Sequence, residues 1–177
     1  NEAIKARVQI WRVRPDVWED DIFADAIKLS NQQKEACIEL GKVVAAKIKR
    51  SKAEKLTEGD IEYAKKIGIS ISSGMGLGKD FFASLLIFWL LHVFPEEQGQ
   101  APHILATANT AKQLSNVLWR QATALPAMSK HCDPQNPRMF NPKDAGSGTI
   151  LQQLFVCQAE KIYRRERGGK TFFAEAV

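Results

Sequence analysis

The chain has 177 residues, 45% of them hydrophobic and 25% charged, the make-up of a soluble globular protein with room for one substantial core. Its net charge of +5 is modest. Three cysteines, Cys37, Cys132 and Cys157, are odd in number and lack a CxxC pair, which excludes a disulfide framework and a cysteine zinc site and fits a reducing compartment. His92, His103 and His131 are scattered and form no ligand cluster, so each reads as a structural or surface histidine. The start at Asn1 and the stop in "TFFAEAV" read as cuts in a longer polypeptide.

Residues 1–30 mix aromatics with acids around Pro15 and read as an irregular lead-in, with the main domain over 31–177. Ser30 and Gln33 match a capping box, and Ala36, Leu40, Val43 and Val44 follow at helical spacing. This helix carries a basic cluster, Lys42, Lys47, Lys49, Arg50, Lys52 and Lys55, against the single acid Glu54. A second cluster, "KIYRRERGGK", runs from Lys161 to Lys170. Both suit phosphate backbones, and both also read plainly as solvated faces.

"IEYAKK" is a short helix, and Ile67 to Ser72 ("IGISIS") is the first strand, rich in β-branched residues. "FFASLLIFWLLHVF", Phe81 to Phe94, is too short for a bilayer, which needs about 20 residues. Being apolar on all sides, it reads as a helix buried inside a fold. His103 to Ala108 is a second strand. A helix follows, capped by Thr110, with Leu114, Val117, Leu118 and Leu125 on one side. Residues 129–149 carry three prolines and two glycines and read as a long loop. Helical spacing resumes at "ILQQLFVCQAEKIYRRER", and "KTFFAEAV" begins a third strand. The alternation predicts an α/β fold with a mainly parallel sheet flanked by helices, incomplete at its C-terminal end; with the glycine loop between its first strand and the apolar helix, the expected class is a P-loop NTPase.

Between the first strand and the apolar helix lies Ser73-Gly74-Met75-Gly76-Leu77-Gly78-Lys79-Asp80. A phosphate-binding loop has Gly, four residues, Gly-Lys and then Ser or Thr; here Ser73 replaces the first glycine and Asp80 the hydroxyl residue. The glycines permit the positive φ angles that turn backbone N–H groups towards an anion. The helix beginning near Lys79 adds its N-terminal donors, and Lys79 reaches the β- and γ-phosphates as a mobile charge. An Asp80 oxygen is a good magnesium ligand, but its charge repels phosphate by roughly 4 kcal/mol at ~4 Å and an effective dielectric near 20. The expectation is an active loop binding ATP with Mg²⁺ held by Asp80, with tighter metal dependence. The plainer reading is a glycine turn with an exposed Lys79.

The residues "SISSGMGLGKDFFAS" and "HILATANTAKQLSNVLWRQ" resemble the ATPase domain of the tailed-phage terminase large subunit. The likeness lies in the loop, in Thr107-Ala108-Asn109-Thr110, in Gln113 and in Trp119-Arg120, and covers roughly residues 10 to 125. It implies an ATP hydrolase, with Lys79 catalytic, that drives double-stranded DNA into a procapsid from the host cytoplasm. It further implies docking as a homo-oligomeric ring on the portal protein, help from a small terminase subunit, no membrane, and a nuclease domain in the parent chain. It assigns the adenine edge to an upstream Gln, for which Gln33 is the first candidate and Gln32 the next. Gln33 equally completes the capping box, and Thr107 and Thr110 equally read as helix caps. The second magnesium-binding Asp and catalytic Glu are expected just downstream of Val177, so this stretch alone is expected to be nearly inactive. Arg164, Arg165 and Arg167 are candidates for a transition-state arginine by charge only.

The alternatives are a small-molecule kinase, a helicase-like nucleic-acid-dependent NTPase, and a non-catalytic nucleic-acid-binding scaffold with a degenerate loop.

Overall fold

The computed structural model describes residues 2–68, 70, 78–94, 103–131, 148–165 and 173–176. The segment expected as an irregular lead-in is instead two helices, α1 (Glu2–Val13) and α2 (Pro15–Phe23). Pro15 does not interrupt them, because it stands at the first helical position of α2, where no N–H is needed. Trp18 and Ile22, four residues apart, share the buried face with Phe23, and Trp11 is buried from α1. Polar contacts help fix the pair. Arg7 forks onto Asp21 at 2.6 and 2.8 Å, Trp11 Nε1 donates to the same carboxylate at 2.6 Å, and Trp18 Nε1 donates to His92 Nδ1 at 2.9 Å.

Helix α3 (Asn31–Ser51) starts where Ser30 and Gln33 form the expected capping box. Its Val43 and Val44 are buried, with Ala36 and Leu40 packed against the core. After a short link, Thr57 and Asp60 form a second capping box and open α4 (Glu58–Lys65). α4 runs back along α3, tied by Lys49 to Asp60 at 2.9 Å and by the Tyr63 hydroxyl to Glu39 at 3.0 Å.

Helix α5 (Lys79–Val93) is the apolar segment, and it is the centre of the core as expected. Leu85, Phe88, Trp89 and Leu91 are fully enclosed, and Trp89 Nε1 donates to Trp11 O at 2.7 Å. Among the described residues no helix is long and apolar enough to cross a membrane.

The remaining strands are β1 (His103–Ala106), β2 (Phe155–Cys157), β3 (Lys161–Arg164) and β4 (Phe173–Ala176). They form one mixed sheet in the order β1-β4-β3-β2, flanked by helices, so the α/β class holds. The mainly parallel sheet does not appear among the described residues: β1 and β4 are parallel (Ile104 opposite Ala174), but β4–β3 and β3–β2 are antiparallel. Ile67, Gly68 and Ser70 are not in a strand, and the rest of that expected strand lies outside the described residues.

The expected helix over 150–167 is the source of the antiparallel pairings. Among the described residues of that span only Ile150–Leu154 (α8) is helical, started by the Thr149–Gln152 capping box. Phe155 then turns into β2, and its ring meets Phe88 edge-on at 5.3 Å. Ile162 and Ala174 are fully buried on the same sheet, against which α5 packs.

Between β1 and α8 the helical path is α6 (Ala111–Gln113), a π-helical stretch Leu114–Trp119, α7 (Arg120–Ala124) and a 3₁₀ turn Leu125–Met128. The wide π turn rotates the side chains. Leu114 and Leu125 are buried as expected, while Val117 is turned outwards.

Candidate functional site

The glycine loop ends where α5 begins. Gly78 is the N-cap of α5 with φ 72° and ψ 25°, the left-handed conformation that favours glycine, and its carbonyl accepts the Phe82 N–H at 2.9 Å. Lys79 is the first helical residue and is exposed; Asp80, next along, is half-buried. The Asp80 carbonyl accepts the Ser84 hydroxyl at 2.7 Å, and the same hydroxyl lies 3.2 Å from Leu118 O in the π stretch. Ser84 is fully buried and joins the first turn of α5 to the segment that follows β1. No residue pattern announced it, because a serine in an apolar helix looks like a minor interruption. Ser73, Gly74, Met75, Gly76 and Leu77 lie outside the described residues.

Gln33, from a helix more than forty positions upstream, comes to this point. A β-carbon built on Gly78 would sit 3.4 Å from Gln33 Nε2. The same side chain closes the capping box, its Oε1 accepting the Ser30 N–H at 2.9 Å. The two readings of Gln33 do not compete for the same atom: the carbonyl oxygen holds the helix start, and the amide nitrogen, a donor group, lies near Gly78.

The second resembling motif is placed mainly by structural roles. Thr107 is exposed just beyond β1, and Thr110 is a helix cap whose Oγ1 accepts the Gln113 N–H at 3.1 Å. Trp119 is buried with Nε1 donating to Gln158 O at 3.1 Å, and Arg120 is exposed. Arg165 is exposed and donates along the surface to the Gln153 and Gln152 carbonyls at 3.2 and 3.3 Å. Arg167 lies outside the described residues.

Compared with known proteins, the chain matches no family model, no curated protein and no solved structure. A left-handed glycine, the exposed ammonium of Lys79, the first-turn N–H groups of a long helix and the Gln33 amide donor together favour an anion with several oxygens. The neighbouring Asp80 carries a carboxylate, the hard oxygen donor type that magnesium takes. Among the described residues no group of three or more His, Cys, Asp or Glu is arranged for a metal.

The basic cluster of α3 divides in two. Lys42 and Lys49 are engaged by Glu39 at 2.6 Å and Asp60 at 2.9 Å. Lys47, Arg50, Lys52 and Lys55 are exposed at the far end of the α3–α4 hairpin.

Proposed function

We propose that this chain is the ATP-binding part of a viral DNA-packaging motor of the terminase type, with ATP and Mg²⁺ at residues 73–80. The observation that carries the reading is the left-handed Gly78 leading directly into Lys79 at the start of α5, with Gln33 Nε2 at the same point. Gly78 lets the backbone approach an anion without a side chain in the way. Lys79 neutralises phosphate charge, and Asp80 orients the metal. Bound ATP–Mg²⁺ supplies the transferable γ-phosphoryl group and the charge that offsets Asp80. The parallel β1–β4 pair supports the reading too, because the carboxyl ends of parallel strands form one edge where such sites are completed. A mainly parallel sheet, the portal protein, the small subunit and a ring of copies belong to the same proposal. Double-stranded DNA is its substrate, and the exposed cations of α3 are suited to phosphates.

ATP hydrolysis by the full parent polypeptide, with and without linear double-stranded DNA, tests this. Turnover is expected to rise with DNA and to fall on the order of a hundredfold or more in Lys79→Ala, since the interaction lost is one with developing phosphoryl charge. Turnover only with a small phosphate acceptor would make the protein a kinase. Nucleotide binding indifferent to Lys79→Ala would leave a scaffold.

A further inference from the structure

Glu19 is the one acidic side chain of α2 that the fold encloses completely: it is 0% exposed, and neither carboxylate oxygen has a hydrogen-bond partner. An ionised carboxylate in that position is strongly disfavoured, whereas a neutral one is tolerated. Its neighbours sharpen the bias. On its own helix stand Asp16, three residues back, and Asp20, next along. Asp16 is already held by the Arg14 fork at 2.9 and 2.6 Å, and Arg7 of α1 is held by Asp21. From α5, His92 accepts the Trp18 N–H and does not supply positive charge. From α3 come the enclosed thiol Cys37 and one cation, the half-buried Lys34. Lys34 sits one residue after Gln33, in the first turn of α3.

We propose that Glu19 is a proton-binding switch between α2 and α3: neutral, it stays in the core, and on losing its proton to water it draws towards Lys34 and shifts the first turn of α3. That turn carries the Gln33 amide at Gly78, so the switch would reach the glycine loop whatever that loop binds. Burial first, then the charge of Asp20, push the Glu19 carboxyl up to about 7, which puts the transition near neutrality.

A carboxyl whose folded value is raised stabilises the fold most below its ordinary value, and that contribution is lost as pH rises through the folded value. His92 works in the opposite direction. Burial, and secondarily Arg164, lower it to about 3, so its contribution is present above the ordinary histidine value and lost as pH falls. The test is therefore a comparison of full chains: folding constants from denaturant titration of wild type and Glu19→Gln at about pH 6 and about pH 8.5. The ratio of the two constants is expected to change about tenfold between those conditions, wild type losing relative to the variant. Parallel pH profiles would overturn the proposal. Should Glu19→Gln fail to fold, carbon-13 NMR of the wild-type glutamate carboxyls decides it. One carboxyl titrating near neutrality, and moving higher in Lys34→Gln, supports the switch. All of them titrating in the ordinary range of about 4 to 5 overturns it, and a midpoint unmoved by Lys34→Gln overturns the pairing with Lys34.

Discussion

Asp21 joins the two N-terminal helices through one carboxylate. It accepts both prongs of the Arg7 guanidinium and the indole N–H of Trp11. Burial alone would raise its titration, but the Arg7 and Trp11 hydrogen bonds outweigh that and hold the carboxyl below its ordinary value. The stability it contributes is present above the ordinary carboxylate value and lost as pH falls through the folded one. Asp21→Asn keeps the shape and removes the charge. It is expected to cost about 1–2 kcal/mol at pH 7 by denaturant titration, towards the lower figure because the Arg7 side chain is 42% exposed and screened by water. The difference between variant and wild type is expected to shrink as the medium is acidified below the carboxylate range. A difference independent of pH would mean that the asparagine merely packs badly.

At the scale of elements, α1 and α3 approach closely at Gly41. A β-carbon there would lie 2.1 Å from the carbonyl oxygen of Val13, at the end of α1. Two effects compete in Gly41→Ala. Helix propensity favours alanine by about 1 kcal/mol, and the overlap with a backbone atom forces α1 and α3 apart. The overlap wins because a carbonyl cannot swing aside as a side chain can. A net loss of about 3 kcal/mol is expected in thermal or chemical unfolding. A neutral or stabilised variant would show that α1 is free to slide.

Other features at this scale are legible in the sequence alone. The Ser30–Gln33 box and the Thr110 cap rest on short-range pairing, and the α5 segment is apolar beyond ambiguity. The two N-terminal helices were hidden by Pro15 and by the acids of "WEDDIF", although Glu19, Ile22 and Phe23 share one helical face. The turn from α8 into β2 was hidden because "LFVC" continues a helical pattern. Only the sheet beneath it, through the Phe155 to Arg164 register, decides for a strand. At the candidate site the sequence singled out Lys79, Asp80 and Gln33 but not Ser84, and between α2 and α3 it did not single out the enclosed Glu19. Tertiary contacts alone define those two.

Over the whole molecule, charge is distributed by pairing. Arg7, Arg14, Lys28, Lys42 and Lys49 each meet a carboxylate. Lys47, Arg50, Lys52 and Lys55 project together from the end of α3 and the link after it, where only Glu54 intervenes. The negative end of the α3 dipole already favours cations there, so their presence alone is accounted for by helix energetics. A phosphate-binding role demands something further, namely salt dependence. Each cation that displaces a counterion from duplex DNA contributes about 0.9 to the slope of log affinity against log salt. Changing all four to Gln is expected to lower that slope by about 3 to 4 for linear double-stranded DNA if each meets a phosphate. Folding stability is expected to stay within about 0.5 kcal/mol of wild type, as for surface positions generally. A weaker complex with an unchanged slope would place the loss in shape rather than charge, and an unchanged complex would make this face a solvated one. The slope thus separates a motor that grips its duplex through α3 from one that grips it elsewhere.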